Sequence, residues 1–126
     1  MTRLCAALLA LAMTAPALAQ ETGLDLPSGR LVTFHDVIEG EEAMRYRFIE
    51  PDLAMVVEVV PYERLEADMR HLCESFALDR IEGGMPAQIF ISISDRPVVF
   101  GEKDPEATQV FEAYRPEDGA CIWEEF

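Results

Sequence analysis

Residues 61–78, PYERLEADMRHLCESFAL, carry the clearest helical pattern in the chain. The apolar residues of this stretch recur every three or four positions, as on one face of an α-helix; they are Leu65, Met69, Leu72, Cys73 and Phe76. Pro61 suits the first turn, where a helix needs no amide N–H. The pattern predicts one main amphipathic helix that ends near Leu78 and carries Cys73 on its buried side.

The segments around this helix are short and rich in β-branched and aromatic residues, which is typical of strands. Residues 43–49 and 88–94 alternate between apolar and polar positions, so each predicts a strand with one buried face. The other predicted strands are 31–38, 53–60, 98–100 and 120–126. We expect an α+β fold with a mainly antiparallel sheet and the main helix packed on one face, in the order β-β-β-α-β-β-(α)-β. Residues 20–126 would form this single domain, and the unit 53–94 could add one parallel pair.

Residues 105–115 allow two interpretations. Asp104 followed by Pro105 and Glu106 is a typical helix start, and the apolar residues that follow have helical spacing. The sequence therefore predicts a short helix that ends before Pro116. The alternative is a hairpin through residues 116–119, PEDG, because the Val, Phe and Tyr of this segment also suit strands.

The first residues resemble an export signal. Arg3 precedes an apolar run from Leu4 to Met13, and an Ala-x-Ala site follows at residues 17–19. We expect a signal peptide at 1–19 that is cleaved between Ala19 and Gln20, which places the protein in the periplasm or outside the cell. The run is too short to span a bilayer, and no membrane span is expected in the mature chain.

The cysteine count supports this compartment. Cleavage would remove Cys5 and leave Cys73 and Cys121. An even pair in an exported chain predicts one disulfide. That bond would tie the main helix to the last strand.

The chain is strongly acidic, with 24 acidic and 10 basic residues and a net charge of −14. Such a charge repels nucleic acid and anionic membranes, so neither is expected as a partner. Basic partners and divalent cations are favoured. No Gly-rich phosphate loop or other cofactor motif is present, and no cofactor is predicted.

Three groups of residues could bind metal or do chemistry. Asp68, His71 and Glu74 follow one another at intervals of three on the main helix, which could present a zinc ligand set or simply a solvated face. His35 could act with Asp36, but neighbours in a regular strand point to opposite faces, so a dyad requires an irregular strand. Glu39, Glu41 and Glu42 could attract calcium, although they lack the ligand ladder of a dedicated loop.

Arg45 and Arg47 lie on one face of a predicted strand and are unusual in so acidic a chain. They could hold an acidic ligand or a peptide terminus. The more ordinary interpretation is pairing with acidic residues on neighbouring strands.

Several short motifs carry a family resemblance. They are LPSG at 26–29, DRPV at 95–98 and CIWE at 121–124, together with the export signal. With these the chain resembles a small family of exported proteins of unknown function from alphaproteobacteria of the Rhodobacter group. The resemblance implies a periplasmic setting in a Gram-negative cell and transfers no site residue.

These observations favour a non-enzymatic module, stapled by one disulfide, that binds a protein or a small ligand. The alternatives are a small hydrolase that uses metal or a histidine with nearby acids, and an acidic protein that binds divalent cations.

Overall fold

A computed structural model describes residues 23–125. The predicted signal peptide and its cleavage site between Ala19 and Gln20 lie outside this range. The strands are β1 (Leu24–Asp25), β2 (Leu31–Glu39), β3 (Ala43–Ile49), β4 (Gln88–Ser94), β5 (Gln109–Glu117) and β6 (Ala120–Glu124). The helices are α1 (Leu53–Val59) and α2 (Tyr62–Leu72), and α2 continues through a π-helical turn (Cys73–Ala77) into a last α-helical turn (Leu78–Arg80).

The strands form one six-stranded sheet in chain order, β1 to β6. Four of the five neighbouring pairs are antiparallel, and β3 and β4 are parallel. The α+β class and the mostly antiparallel sheet are thus confirmed. The one parallel pair is joined by α1 and α2, and its first strand is β3 rather than residues 53–60.

The core lies between the helices and one face of the sheet. Tyr46 and Phe48 of β3 and the three isoleucines of β4 are buried, together with Leu65, Met69 and Leu72 of α2. The alternation expected for 43–49 and the apolar helical stripe are therefore confirmed. In β4 the isoleucines face the core as expected, but Ser92 and Ser94 on the other face are buried as well. The polar positions of β3 and β4 consequently lie on the opposite, outer face of the sheet.

The expected strand at 53–60 is wrong, because these residues form α1. Leu53 and Val56, one helical turn apart, are buried, whereas Met55, Val57 and Val59 are exposed. Helical burial of two side chains therefore outweighs the preference of the valines for strands. An apolar run of this length cannot by itself distinguish a helix from a buried strand.

The expected helix at 105–115 is also wrong, and the hairpin alternative is confirmed. A side-chain oxygen of Asp104 accepts from the backbone N–H of Glu106, and its carbonyl oxygen accepts from that of Ala107. These bonds close a turn, and no helix follows it. Residues 109–117 form β5, which pairs with β6. Asp118 and Gly119 join the two strands with φ values of 49° and 81°, as a two-residue hairpin turn requires.

The expected strand at 98–100 is an irregular loop. The amide of Glu102 donates to the carbonyl of Val99 at 3.0 Å, and Gly101 follows Phe100 with a φ of 84°. This turn reverses the chain before a ladder can form. Residues 95–108 therefore make one long connection between β4 and β5, which we call the cover loop.

Cys73 and Cys121 form the expected disulfide, with their Sγ atoms 2.04 Å apart. Cys73 begins the π-helical turn and Cys121 lies in β6, so the bond ties the long helix to the last strand of the sheet. Both residues are buried. Among residues 23–125, no helix has the length and apolar character needed to cross a bilayer.

Candidate functional site

The cover loop lies over the outer face of the sheet and encloses a groove of about 230 Å³. The sheet contributes side chains from β3, β4 and β5, and the loop contributes the opposite wall. The lining residues are Arg45, Arg47, Phe90, Ser92, Val98, Val99, Phe100, Gly101, Glu102, Gln109 and Phe111. The groove combines apolar walls with two guanidinium groups, which is a composition suited to a small ligand.

Arg47 positions the cover loop. One Nη atom of Arg47 donates to the carbonyl oxygen of Val98 at 2.6 Å. Its Nε and other Nη atoms donate to the two carboxylate oxygens of Asp36, each at 2.6 Å. The ordinary interpretation of Arg47, pairing with a neighbouring strand, therefore matches its contacts.

Arg45 has different surroundings. Its guanidinium carbon lies 4.0 Å from the ring centroid of Phe90 and 5.6 Å from that of Phe100. Within residues 23–125, no carboxylate forms an ion pair with it. The N–H groups of the Arg45 guanidinium are therefore available to an acceptor in the groove. Glu102 is the acidic residue of the groove lining.

The backbone of β2 is irregular where Asp36 meets Arg47. The pairing of β2 with β3 shifts by one residue between Phe34 and Asp36, which is a β-bulge at His35. His35 Nε2 consequently lies 3.7 Å from Asp36 Oδ2. This is the irregular strand that a contact between the two side chains requires, and the bulge was not recognisable from the sequence.

The Asp36–Arg47 pair should make the stability of the fold depend on pH. The hydrogen bonds from Arg47 hold the pKa of Asp36 below its usual 3.8, against the opposing effect of burial. A lowered pKa in the folded state means that the pair stabilises the fold above pH 3.8 and that this contribution is lost as the pH falls further. Urea unfolding of the parent chain and of Asp36→Asn should therefore differ near neutral pH and converge in acid.

Arg47→Met removes the other partner, so its gap to the parent chain should also narrow in acid, with a constant remainder because the hydrogen bond to Val98 is lost as well. A gap between the parent chain and Asp36→Asn that stays constant with pH would contradict this assignment.

A second ionic cluster was not foreseen from the sequence. The guanidinium of Arg30 pairs with Glu50 and Asp68, each at 3.0 Å, and Ser28 donates its hydroxyl to Asp68 at 2.6 Å. Asp68 is fully buried. Burial raises the pKa of Glu50, and the charge of Arg30 partly offsets that rise. The cluster joins the turn before β2 to α2, so it holds the fold together rather than lining the groove.

The proposed metal ligands on α2 are used in other ways. Asp68 belongs to the Arg30 cluster, and a carboxylate oxygen of Glu74 accepts from the backbone N–H of Cys121 at 3.4 Å. His71 is exposed. In the described part of the chain, no three His, Cys, Asp or Glu side chains lie close enough together to hold a metal ion, and this includes Glu39, Glu41 and Glu42.

The comparisons with known proteins give one match. The model of a family of unknown function, DUF6497, matches residues 5–126. The chain belongs to this family. No curated protein and no solved structure is significantly similar to it. Family membership therefore supplies no site residue.

Proposed function

We propose that this chain is an exported binding module whose groove holds a small ligand with a carboxylate and an apolar body. The observation that carries the proposal is the environment of Arg45. Its guanidinium is stacked against Phe90 and Phe100 and has no carboxylate partner within the described residues. Arg64, Arg70 and Arg80 also form no ion pair within the described residues, but none of them lines the groove, so the position of Arg45 beside two aromatic rings in the groove is what distinguishes it.

The groove suits the two parts of such a ligand. The rings of Phe90 and Phe100 lie beside the Arg45 guanidinium, and a guanidinium can form paired hydrogen bonds to a carboxylate. The apolar body would contact Val99 and Phe111, which are 65% and 49% exposed. Covering these side chains removes apolar surface from water, which adds affinity to the ionic contact.

Export is part of this proposal. A signal peptide at 1–19, cleaved between Ala19 and Gln20, would deliver the domain to the periplasm of a Gram-negative cell or to the exterior. The disulfide between Cys73 and Cys121 supports an oxidising compartment. An origin in alphaproteobacteria of the Rhodobacter group remains part of the proposal.

The test is isothermal titration calorimetry with 3-phenylpropionate, a small carboxylate with an apolar body. We expect the parent chain to bind it and to bind 3-phenylpropionamide at least about ten-fold more weakly, because the amide lacks the charge that strengthens hydrogen bonds to arginine. Arg45→Met should weaken carboxylate binding by a similar factor. The methionine keeps an apolar stem of similar length against Phe90, so the fold should be retained.

Arg115→Met is the matched control. Arg115 is an exposed arginine on the outer face of the same sheet, paired with Glu117 and Glu124 and absent from the groove lining. Its loss should leave binding of the carboxylate unchanged. Equal affinities of the parent chain and Arg45→Met for 3-phenylpropionate would contradict the proposal.

A further inference from the structure

Two aromatic side chains on another surface share one buried carboxylate. Tyr62, the first residue of α2, donates its hydroxyl to Glu112, and the indole N–H of Trp123 donates to the other oxygen of Glu112 at 2.6 Å. Glu112 is only 6% exposed. It lies in β5 opposite Ile91 of β4, and so on the face of the sheet that packs against the helices.

The polar atoms of both rings are fixed while much of their apolar surface remains in water. Tyr62 is 48% exposed and Trp123 is 46% exposed. The shared carboxylate brings the Tyr62 hydroxyl and the Trp123 indole N–H close together, beside β6 at the edge of the sheet. Aromatic side chains fixed in this way lose little conformational entropy on binding, which is why Tyr and Trp are common at the centres of interfaces.

Carboxylates dominate the charge around the two rings, and Arg70 is a cation that acts on the neighbouring Tyr114. Within residues 23–125, Glu112 forms no ion pair with a lysine, arginine or histidine. Burial raises the pKa of the Tyr62 hydroxyl, and the nearby carboxylates of Glu112 and Glu66 raise it further. A cation placed over the exposed rings would therefore be attracted both by the ring faces and by the carboxylate behind them.

The chain already uses this type of contact elsewhere. Arg45 lies over Phe90 and Phe100, and Arg80 lies 3.4 Å from the ring centroid of Phe76. Among the described residues, no cation lies over Tyr62 or Trp123. These two rings are thus exposed aromatic faces in a negative environment that no cation of residues 23–125 covers.

We propose that Tyr62 and Trp123 form a docking surface for the arginine or lysine side chain of a basic segment in a partner protein. Charge complementarity selects this occupant, because the whole chain carries a net charge of −14 and attracts basic segments over a long range. The same charge repels a second copy of the chain, which is therefore not the proposed occupant of this surface. This surface is separate from the groove, whose arginine favours a negatively charged ligand. A failure to bind at one of the two sites would therefore leave the proposal for the other site untouched.

The test uses the acetylated and amidated peptide Gly-Arg-Gly-Arg-Gly, with the Gln analogue of the same length as its control. Trp123 is the single tryptophan of the chain, so a change in indole emission reports on this surface directly. We expect the arginine peptide to change that emission and the glutamine peptide to leave it unchanged. Calorimetry then gives the dissociation constants for the variants.

Trp123→Leu should raise the dissociation constant about ten-fold, because tryptophan provides the strongest cation–π face. Glu112→Gln should raise it about three-fold, since only the charge behind the rings is lost. The glutamine amide can still accept from the indole and donate to the Tyr62 oxygen, which acts as donor or acceptor. Met85→Ala, at an exposed apolar residue of the loop before β4, is the control and should bind as the parent does.

Each contrary result overturns the proposal. Equal affinity of Trp123→Leu and the parent chain would show that the peptide binds elsewhere. If phosphatidylcholine vesicles changed the indole emission and the arginine peptide did not, the surface would recognise a lipid headgroup. Unfolding curves of each variant confirm that the comparison is made between folded proteins.

Discussion

Replacing Arg30 with methionine is expected to destabilise the protein by about 3–5 kcal/mol, because it leaves buried carboxylates without their cation. The side chain of Arg30 is 12% exposed, and those of its partners Asp68 and Glu50 are 1% and 8% exposed. Ser28 would still donate to Asp68, but a neutral hydroxyl cannot balance the charge. Urea unfolding of the parent chain and of Arg30→Met measures the loss.

The deficit should shrink as the pH falls. Burial already raises the pKa of Glu50, and the charge of Arg30 opposes that rise in the parent chain. In Arg30→Met this opposition is absent, so Glu50 should take up its proton at higher pH and its uncompensated charge should disappear. Arg115→Met, which breaks exposed ion pairs only, should cost no more than about 1 kcal/mol. A loss of that small size in Arg30→Met would contradict the role of the cluster.

Removing the disulfide is expected to have an effect of similar size. Cys73 and Cys121 are 48 positions apart, and closing a loop of that length restricts the unfolded chain by about 4 kcal/mol in the chain-entropy model. Cys121→Ala should therefore lower the melting temperature strongly when compared with the oxidised parent chain. Compared with the parent chain in reductant, the same variant should melt at nearly the same temperature.

The comparison under reductant separates two roles of Cys121. Its side chain is buried, so the alanine variant also loses some packing against α2. If Cys121→Ala were destabilised equally against the oxidised and the reduced parent chain, packing and not the covalent bond would be responsible. Differential scanning calorimetry with and without reductant gives both values.

Strands and helices could be predicted where their apolar residues recur with the period of the structure, because those residues then lie on the buried face. The core-facing residues of β3 and the isoleucines of β4 recur at every second position, and α2 repeats its apolar residues every three or four positions, so each pattern matches the face that packs against the core. Residues 53–59 are nearly all apolar and carry no period. In α1 only Leu53 and Val56 reach the core, which the sequence cannot show because the choice depends on the neighbouring sheet.

The site was only partly predictable, because many of its contacts join residues that are far apart in the sequence. Arg45 and Arg47 were recognised because their alternation with Tyr46 places them on the outer face. Their different surroundings depend on distant parts of the chain: Val98 in the cover loop binds Arg47, and Phe100 stacks on Arg45. The Arg30 cluster was missed because Glu50 and Asp68 lie 20 and 38 positions away. Glu112 falls on the core face of a segment for which the sequence favoured a helix.

Mapping 3-phenylpropionate onto the amide spectrum of the isotope-labelled protein shows whether the carboxylate binds in the groove. If the groove binds the carboxylate, the largest shifts on titration should fall on Arg45, Phe90 and the cover loop around Phe100. The Nε–H signal of Arg45 should move with them, because that group would donate to the ligand. Shifts confined to other parts of the protein, with the Arg45 signal unchanged at saturation, would contradict the account.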